Sequence, residues 1–253
     1  MEYKIGGKMN KIIIDIETSL NTTLLNNAED EGLVTLPIVE DMEDIRNVII
    51  KKVESKYKKQ ETVDKHLADL DNLAEKESAK QVSVYDSALN QFKTHPLFTM
   101  IDIITISDNG NIYQMSLNTH TEKQMLEHTF DLIVKTMKTN GIIFTFNGKK
   151  FDFPIMIARA EALYASVDTM YLETLCKPSS WQHQDLYEPY KFGGHKYTSL
   201  SMQLFARYGI KKVEIDFDSC TLEEKEEYAM DEMTKFQIWV DAKVKYLESQ
   251  QIK

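Results

Sequence analysis

Asp15 and Glu17 stand two residues apart at the end of a β-branched run, Lys-Ile-Ile-Ile-Asp-Ile at 11–16. In an extended chain both carboxylates point to one face, with their Cα atoms roughly 7 Å apart. Acids at the end of an apolar strand are costly to bury unless something neutralises them. A hard divalent cation does so, because it prefers carboxylate and water oxygens. Alone, the pair reads equally well as two solvated acids at a strand end. A second feature is Asn147-Gly148-Lys149-Lys150-Phe151-Asp152-Phe153-Pro154. Asn-Gly makes a tight turn, Asp152 falls near a helix N-terminus, and Pro154 suits that helix's first turn. Asp152 is there either a capping residue or a ligand. A third feature is Asp241, in Trp239-Val240-Asp241-Ala242-Lys243-Val244 near the end of the chain. It is a wet-face acid paired with a lysine, or a further ligand.

The elements around these residues are mixed. Residues 11–16 read as a buried central strand that Thr18-Ser19 leaves, and 19–40 as loop. From 41 to 92 there is no Pro or Gly, and Ile45, Val48, Ile49, Val53, Leu67, Leu70 and Leu73 recur at helical spacing, predicting two or three helices. A strand from Phe98 to Ser107, the turn Asp108-Asn109-Gly110-Asn111 and a partner strand at 112–117 form a hairpin. A helix over 121–138 is expected to end at Gly141. Then come a strand at 142–146, a helix at 154–165, a short strand end at Asp185-Leu186 and a helix at 198–209. A last helix starts near Thr221, whose spacing to Glu224 is that of a capping box. This is an α/β layer architecture. It reads as one domain over 1–253, with 41–92 as a helical insertion after the first strand.

Composition narrows the possibilities. Apolar residues make up 42% of the 253, enough for a real core, and the formal net charge is −10. That balance argues against a protein that coats nucleic acid nonspecifically, but not against an enzyme acting on it. Cys176 and Cys220 have no metal-ligand spacing and read as free thiols in a reducing compartment. No apolar run approaches the ~18 residues of a membrane span, and there is no secretory h-region. A cytoplasmic protein without membrane contact is expected.

Taken together, the three features resemble the DEDD superfamily of 3′→5′ exonucleases, in particular the proofreading-exonuclease-like proteins related to family B DNA polymerases. Asp15-Ile16-Glu17-Thr18 is similar to the first motif and residues 147–154 to the second. His95-Pro96-Leu97-Phe98 with Ile101 resembles the step into the second strand. His183-Gln184-Asp185-Leu186, Ser199-Leu200 and Tyr208-Gly209-Ile210 resemble the segment before the third motif. The resemblance covers 11–18 and, more loosely, 95–247. It implies an RNase H-like mixed sheet flanked by helices. It also implies two Mg²⁺ or Mn²⁺ ions about 4 Å apart that clamp a scissile phosphate. Asp15 would bridge the ions, Glu17 and Asp241 would complete one site, and Asp152 would hold the other. The substrate would be a single-stranded DNA or RNA 3′ end, and the products nucleoside 5′-monophosphates.

The family also uses a Tyr four residues before its last Asp, or a His five before it, to orient or deprotonate water. Counted from Asp241, those positions hold Gln237 and Phe236, and Tyr228 is thirteen residues away, about 20 Å along a helix. Gln237 and His183 are therefore the water-positioning candidates, with Tyr187, Tyr190 and His195 as substitutes. Thr18, Asn147, Lys149 and Phe151 are candidate substrate contacts, and Lys150 flanks the same turn. Lys191, Lys196 and Gly193-Gly194 suggest a basic loop. The lysines at 51, 52, 56, 58 and 59 suggest a nucleic-acid clamp, or a docking arm for a replication or repair protein. Two readings stay open: a free-standing exonuclease with weakened or altered activity, and a nuclease fold kept as a binding or scaffolding module. The chain ends six residues after Leu247, so no polymerase domain is expected to follow. Such a compact nuclease suits a phage or mobile-element replication gene as well as a bacterial one; a phage-encoded one would act in the host cytoplasm.

Overall fold

Four isoleucines, Ile12, Ile13, Ile14 and Ile16, are buried in the first strand, β1 (Lys11–Leu20). The computed structural model describes residues 10–57, 60–93, 95–177, 180–187, 199–211, 215, 217 and 219–251. Lys58, Lys59, Tyr190, Lys191, Gly193, Gly194, His195 and Lys196 lie outside those residues. β1 continues through Thr18-Ser19 to Leu20, so Glu17 and Thr18 sit within the strand rather than at its exit. The other strands are β2 (Thr99–Asp108), β3 (Asn111–Ser116), β4 (Ile142–Thr145) and β5 (His183–Asp185), in the sheet order β3-β2-β1-β4-β5. β2 and β3 form an antiparallel hairpin. Its turn residues Asn109 and Gly110 have φ of 51° and 97°, the left-handed backbone that a tight right-twisted hairpin requires. β4 lies parallel to β1, with Lys11 opposite Ile142, and β5 parallel to β4.

The chain divides into two compact units, Met1–Ser19 with Thr99–Lys253, and Leu20–Phe98. The second holds α1 (Thr22–Asp30), α2 (Met42–Lys56), α3 (Gln60–Leu67) and α4 (Leu70–Lys93). It begins well before residue 41, because α1 occupies part of the stretch read as loop. Asn21 caps α1 by accepting the Leu24 N–H at 3.0 Å, and Leu25 is its one buried side chain. A single buried position leaves too little periodicity to read. α2 packs on α4, and the Arg46–Asp71 pair at 2.9 Å joins them. Lys51, Lys52 and Lys56 are exposed.

In the first unit, α5 (Glu122–Lys138), α6 (Asp152–Ala162) and α7 (Met170–Cys176) supply one apolar cluster. Ile12, Ile14 and Ile16 pack there against Met125, Phe130 and Ile133 of α5, Met156 of α6 and Leu172 of α7. α8 (Leu200–Tyr208) and α9 (Leu222–Gln251) supply the other. Ile13 packs there with Leu204, Met233, Phe236 and Val240. Even-numbered β1 residues therefore face α5–α7 and odd-numbered ones face α9, the period-2 alternation of a strand buried on both sides. Each buried isoleucine contributes on the order of 1.5–3 kcal/mol, and a one-residue slip would exchange the two faces. That register aims Lys11, Asp15 and Glu17 at α9.

The capping box expected at Thr221 forms, and α5 has one that the sequence reading did not name. Thr121 and Gln124 make a capping box at α5, and the Thr221 and Glu224 side chains satisfy each other's N–H groups at α9. At the end of α5 the left-handed residue is Asn140, with φ 55°, and Gly141 follows it. α7, seven residues long, was too short to show a periodic pattern. A buried pair, Arg159–Glu122 at 2.7 Å, joins α6 to α5, and the Glu122 carboxylate also accepts the Ile101 N–H of β2 at 2.9 Å. The topology and layers are those of an RNase H-like exonuclease fold.

Candidate metal centre and its surroundings

β1 and α9 together bring three carboxylates to one place. Oxygens of Asp15, Glu17 and Glu232 lie within 4.8 Å of one another; the two strand acids are half-buried and Glu232 is buried. Three like charges at that spacing repel, and hard oxygen donors in this number suit a Mg²⁺- or Mn²⁺-class cation. The donor set therefore fits the divalent metal on which DEDD-type exonuclease domains depend.

The third acid is not the residue expected. Asp241 pairs with Lys11 at the other end of β1. Nine residues separate it from Glu232, two and a half helical turns, which means ~13 Å along α9. The two elements agree on this distance. Lys11 to Asp15 is four residues of strand, also ~13 Å. Asp241 thus neutralises a lysine whose side chain is only 10% exposed, far from the acid cluster.

Moving the third acid to Glu232 also supplies the tyrosine that counting from Asp241 did not. Tyr228 precedes Glu232 by four residues, on the same helical face. Its hydroxyl donates to the Glu232 carboxylate. Burial, then Glu232, then Glu17 and Asp15 push the phenol well above its usual pKa, so it stays protonated. The readable signal was Tyr-x-x-x-Glu near the start of the last helix. Requiring Asp at its final position hid it.

Asp152 opens α6, whose N-terminal dipole favours a negative charge. Its carboxylate accepts its own backbone N–H in the first turn of α6 and, at 3.3 Å, the Ile16 N–H of β1. Burial, with Asp185 and Glu232 nearby, pushes its carboxyl up to about 7 despite these favourable contacts. Asp152 is therefore held against the same strand and senses the same Glu232 charge as the three-acid cluster.

The turn before Asp152 is fixed by an acid to which the sequence reading gave no role in the site. Asp185, on β5, accepts the N–H groups of Asn147 at 2.7 Å, Lys149 at 3.1 Å and Tyr187 at 3.1 Å. Asn147 has φ 68°, and its O accepts the Phe151 N–H at 3.0 Å. Gly148 lies so close to β4 that an added Cβ would stand 2.4 Å from Thr145 Oγ1. Gly148→Ala should therefore destabilise the protein by about 1–3 kcal/mol, as overpacking of a fitted site does. An unchanged thermal midpoint would show that the turn tolerates displacement.

The remaining candidates separate. Thr18 is half-buried in β1, and Lys149 is half-buried in the turn while Lys150 is exposed. Phe151 is half-buried and packs against the α5–α7 cluster. His183 does not face water as a positioning group would. It is buried, with Nε2 2.7 Å from Thr145 Oγ1 and Nδ1 3.0 Å from the Leu175 carbonyl. Gln237 accepts from Ser107 and donates to Asp241 at 3.1 Å, on the Lys11 side of α9. Tyr187 places its ring edge-on to Phe146 at 5.5 Å. Cys176 and Cys220 are free, and burial raises the Cys176 thiol to about 11, which keeps it protonated.

Fold and site define a nuclease of the RNase H-like exonuclease type. The family model for the exonuclease domain of DNA polymerase family B matches residues 48–204, more than half of the chain, and the chain belongs to that family. The matched span holds the 147–154 turn, Asp152 and Asp185; Asp15, Glu17, Tyr228 and Glu232 lie outside it. No curated protein matches the chain. No helix among the described residues is long and apolar enough to cross a membrane.

Proposed function

We propose that the protein is a metal-dependent 3′→5′ exonuclease that releases nucleoside 5′-monophosphates from single-stranded DNA. The observation that carries this reading is the convergence of Asp15, Glu17 and Glu232, with the Tyr228 hydroxyl bonded to the last of them. Asp15, Glu17 and Glu232 would hold one Mg²⁺ or Mn²⁺, and Asp152 with Asp15 would hold a second. Two such ions supply Lewis acidity to both oxygens of an in-line phosphoryl displacement. Tyr228, kept protonated by its surroundings and oriented by Glu232, positions the attacking water as a hydrogen-bond partner rather than as a base. The Asp185-braced turn fixes Asp152 relative to β1. The scaffold reading rested on the lack of a water-orienting residue, and Tyr228 removes that reason.

With Mn²⁺, the purified protein is expected to shorten 3′-labelled single-stranded DNA by releasing mononucleotides, and Asp15→Ala to abolish the release. Tyr228→Phe should lower kcat by roughly 10–100-fold, the usual effect of losing a group beside a metal site, while leaving Mn²⁺ affinity near wild type. Absence of nucleotide release from both DNA and RNA would falsify the enzyme reading. Faster release from RNA would move the substrate to that class on the same site.

A further inference from the structure

Away from the carboxylates, a cleft of about 270 Å³ lies between α8 and the C-terminal half of α9. Its lining includes Arg207, Tyr208, Trp239, Lys243 and Tyr246, with no acidic side chain among the described residues. In a chain of net charge −10, a concave site whose ionisable side chains, among the described residues, are one arginine, one lysine and two tyrosines stands apart from its surroundings. Its volume is near the lower end of the roughly 300–1,000 Å³ of small-molecule sites, which suits one nucleotide unit.

The cleft is built rather than incidental. The Arg207 guanidinium stacks 5.3 Å from the Trp239 ring centroid, and its Nε donates to Gln203 Oε1 at 3.2 Å. Trp239 is buried, so it serves as the floor on which Arg207 is oriented. Lys243 lies 5.5 Å from the Tyr246 ring. Tyr208 and Tyr246 are 38% and 56% exposed, which leaves ring surface open to a planar partner. Fixed cations beside exposed aromatic faces are what single-stranded nucleic acid requires: phosphates pair with the cations and bases stack on the rings.

Its position relative to the acid cluster gives the cleft a role. Trp239, Lys243 and Tyr246 follow Glu232 by seven, eleven and fourteen residues. At ~100° per residue all three fall within about 40° of the same helical face, at ~10, 16 and 21 Å along the axis. Phe146, which immediately precedes the Asn147 turn, has its ring 6.0 Å from that of Trp239, so the cleft floor and the site turn share one packed cluster.

We infer that this cleft is a second subsite for the substrate strand. It takes a nucleotide a few positions to the 5′ side of the scissile bond, with phosphate on Arg207 and Lys243 and a base on Tyr208 or Tyr246. The inference rests on the exonuclease reading above. The test compares Mn²⁺-supported release from a single-stranded 12-mer and from a dinucleotide too short to reach the cleft. In Arg207→Ala, Lys243→Ala and Tyr246→Ala, KM for the 12-mer should rise roughly tenfold per variant, with the effect confined to the longer substrate. The salt dependence of 12-mer binding should flatten by about one unit of slope for each cation removed, and Arg207→Lys should restore it. Arg207 and Tyr246 are exposed, so their variants should keep the wild-type thermal midpoint. A wild type that degrades the 12-mer, with variants that match it, overturns the subsite alone. The same result is expected if the cleft serves another protein or a second copy of the chain. A wild type that neither binds nor shortens either oligonucleotide overturns the subsite together with the exonuclease reading.

Discussion

Glu232→Gln is expected to lower the rate of nucleotide release by about 10³-fold, because a lost ligand removes several kcal/mol of metal-derived transition-state stabilisation. Asp241→Asn is expected to leave the rate near wild type. The pair of substitutions separates two registers of α9. If Asp241 were the fourth acid, the effects would be reversed; the helical geometry places it two and a half turns along α9 from Glu232, paired with Lys11. The two variants should also differ in stability, in the opposite order. Glu232→Gln relieves repulsion among three clustered acids, so the metal-free variant should be no less stable than wild type. Asp241→Asn strands Lys11, whose side chain is 10% exposed, and should cost about 1–3 kcal/mol. Isothermal titration with Mn²⁺ gives a third readout: binding is lost in Glu232→Gln and retained in Asp241→Asn. Loss of activity and Mn²⁺ binding in Asp241→Asn with an intact fold would return the site to that residue.

Most of the first unit was legible because its elements carry strong local signals. The isoleucine run announced β1, Asn109-Gly110 announced the hairpin, and the Thr221–Glu224 spacing announced the start of α9. Strand alternation and the turn before α6 let the sequence single out the positions of Asp15, Glu17 and Asp152 before their surroundings are seen. α9 offers no such guide, because it is a thirty-residue helix in which acids are frequent. One-dimensional spacing there does not say which acid faces β1. The deciding information was the antiparallel run of α9 past β1, a tertiary fact that Lys11 reports at one end and Tyr228 at the other. His183 misled for a related reason. A histidine near an exonuclease motif suggests water, yet its two nitrogens bridge β4 and α7 inside the core. Asp185 shows the converse: its work is done on backbone N–H groups, which leave no mark in the sequence.

Metal-free protein should become less stable as pH rises from 5 to 8, and Asp152 is the main cause. Its folded-state carboxyl is raised to about 7, against 3.8 for the ordinary group, because it is buried beside Asp185 and Glu232. The sign follows from proton linkage. Between these two values the native state holds a proton that the unfolded state has released, so stability falls as pH rises. The favourable contribution is complete below about pH 4 and gone once pH exceeds the folded value. Over that window it amounts to a few kcal/mol, on the order of 10 °C in Tm for a chain of this size. Asp102, also raised by burial, acts in the same direction, so the informative comparison is with Asp152→Asn, which carries no titrating proton. In chelator, the wild-type Tm should decline across the window and the variant's should decline much less. Mn²⁺ should reverse the trend in wild type. A cation binds the ionised carboxylate, competes with its proton, and stabilises the fold by mass action more strongly as pH rises. Equal slopes in wild type and Asp152→Asn would show that Asp152 is not the buried acid that the metal site must deprotonate. A wild-type slope that Mn²⁺ leaves unchanged would separate Asp152 from the Asp15, Glu17 and Glu232 cluster.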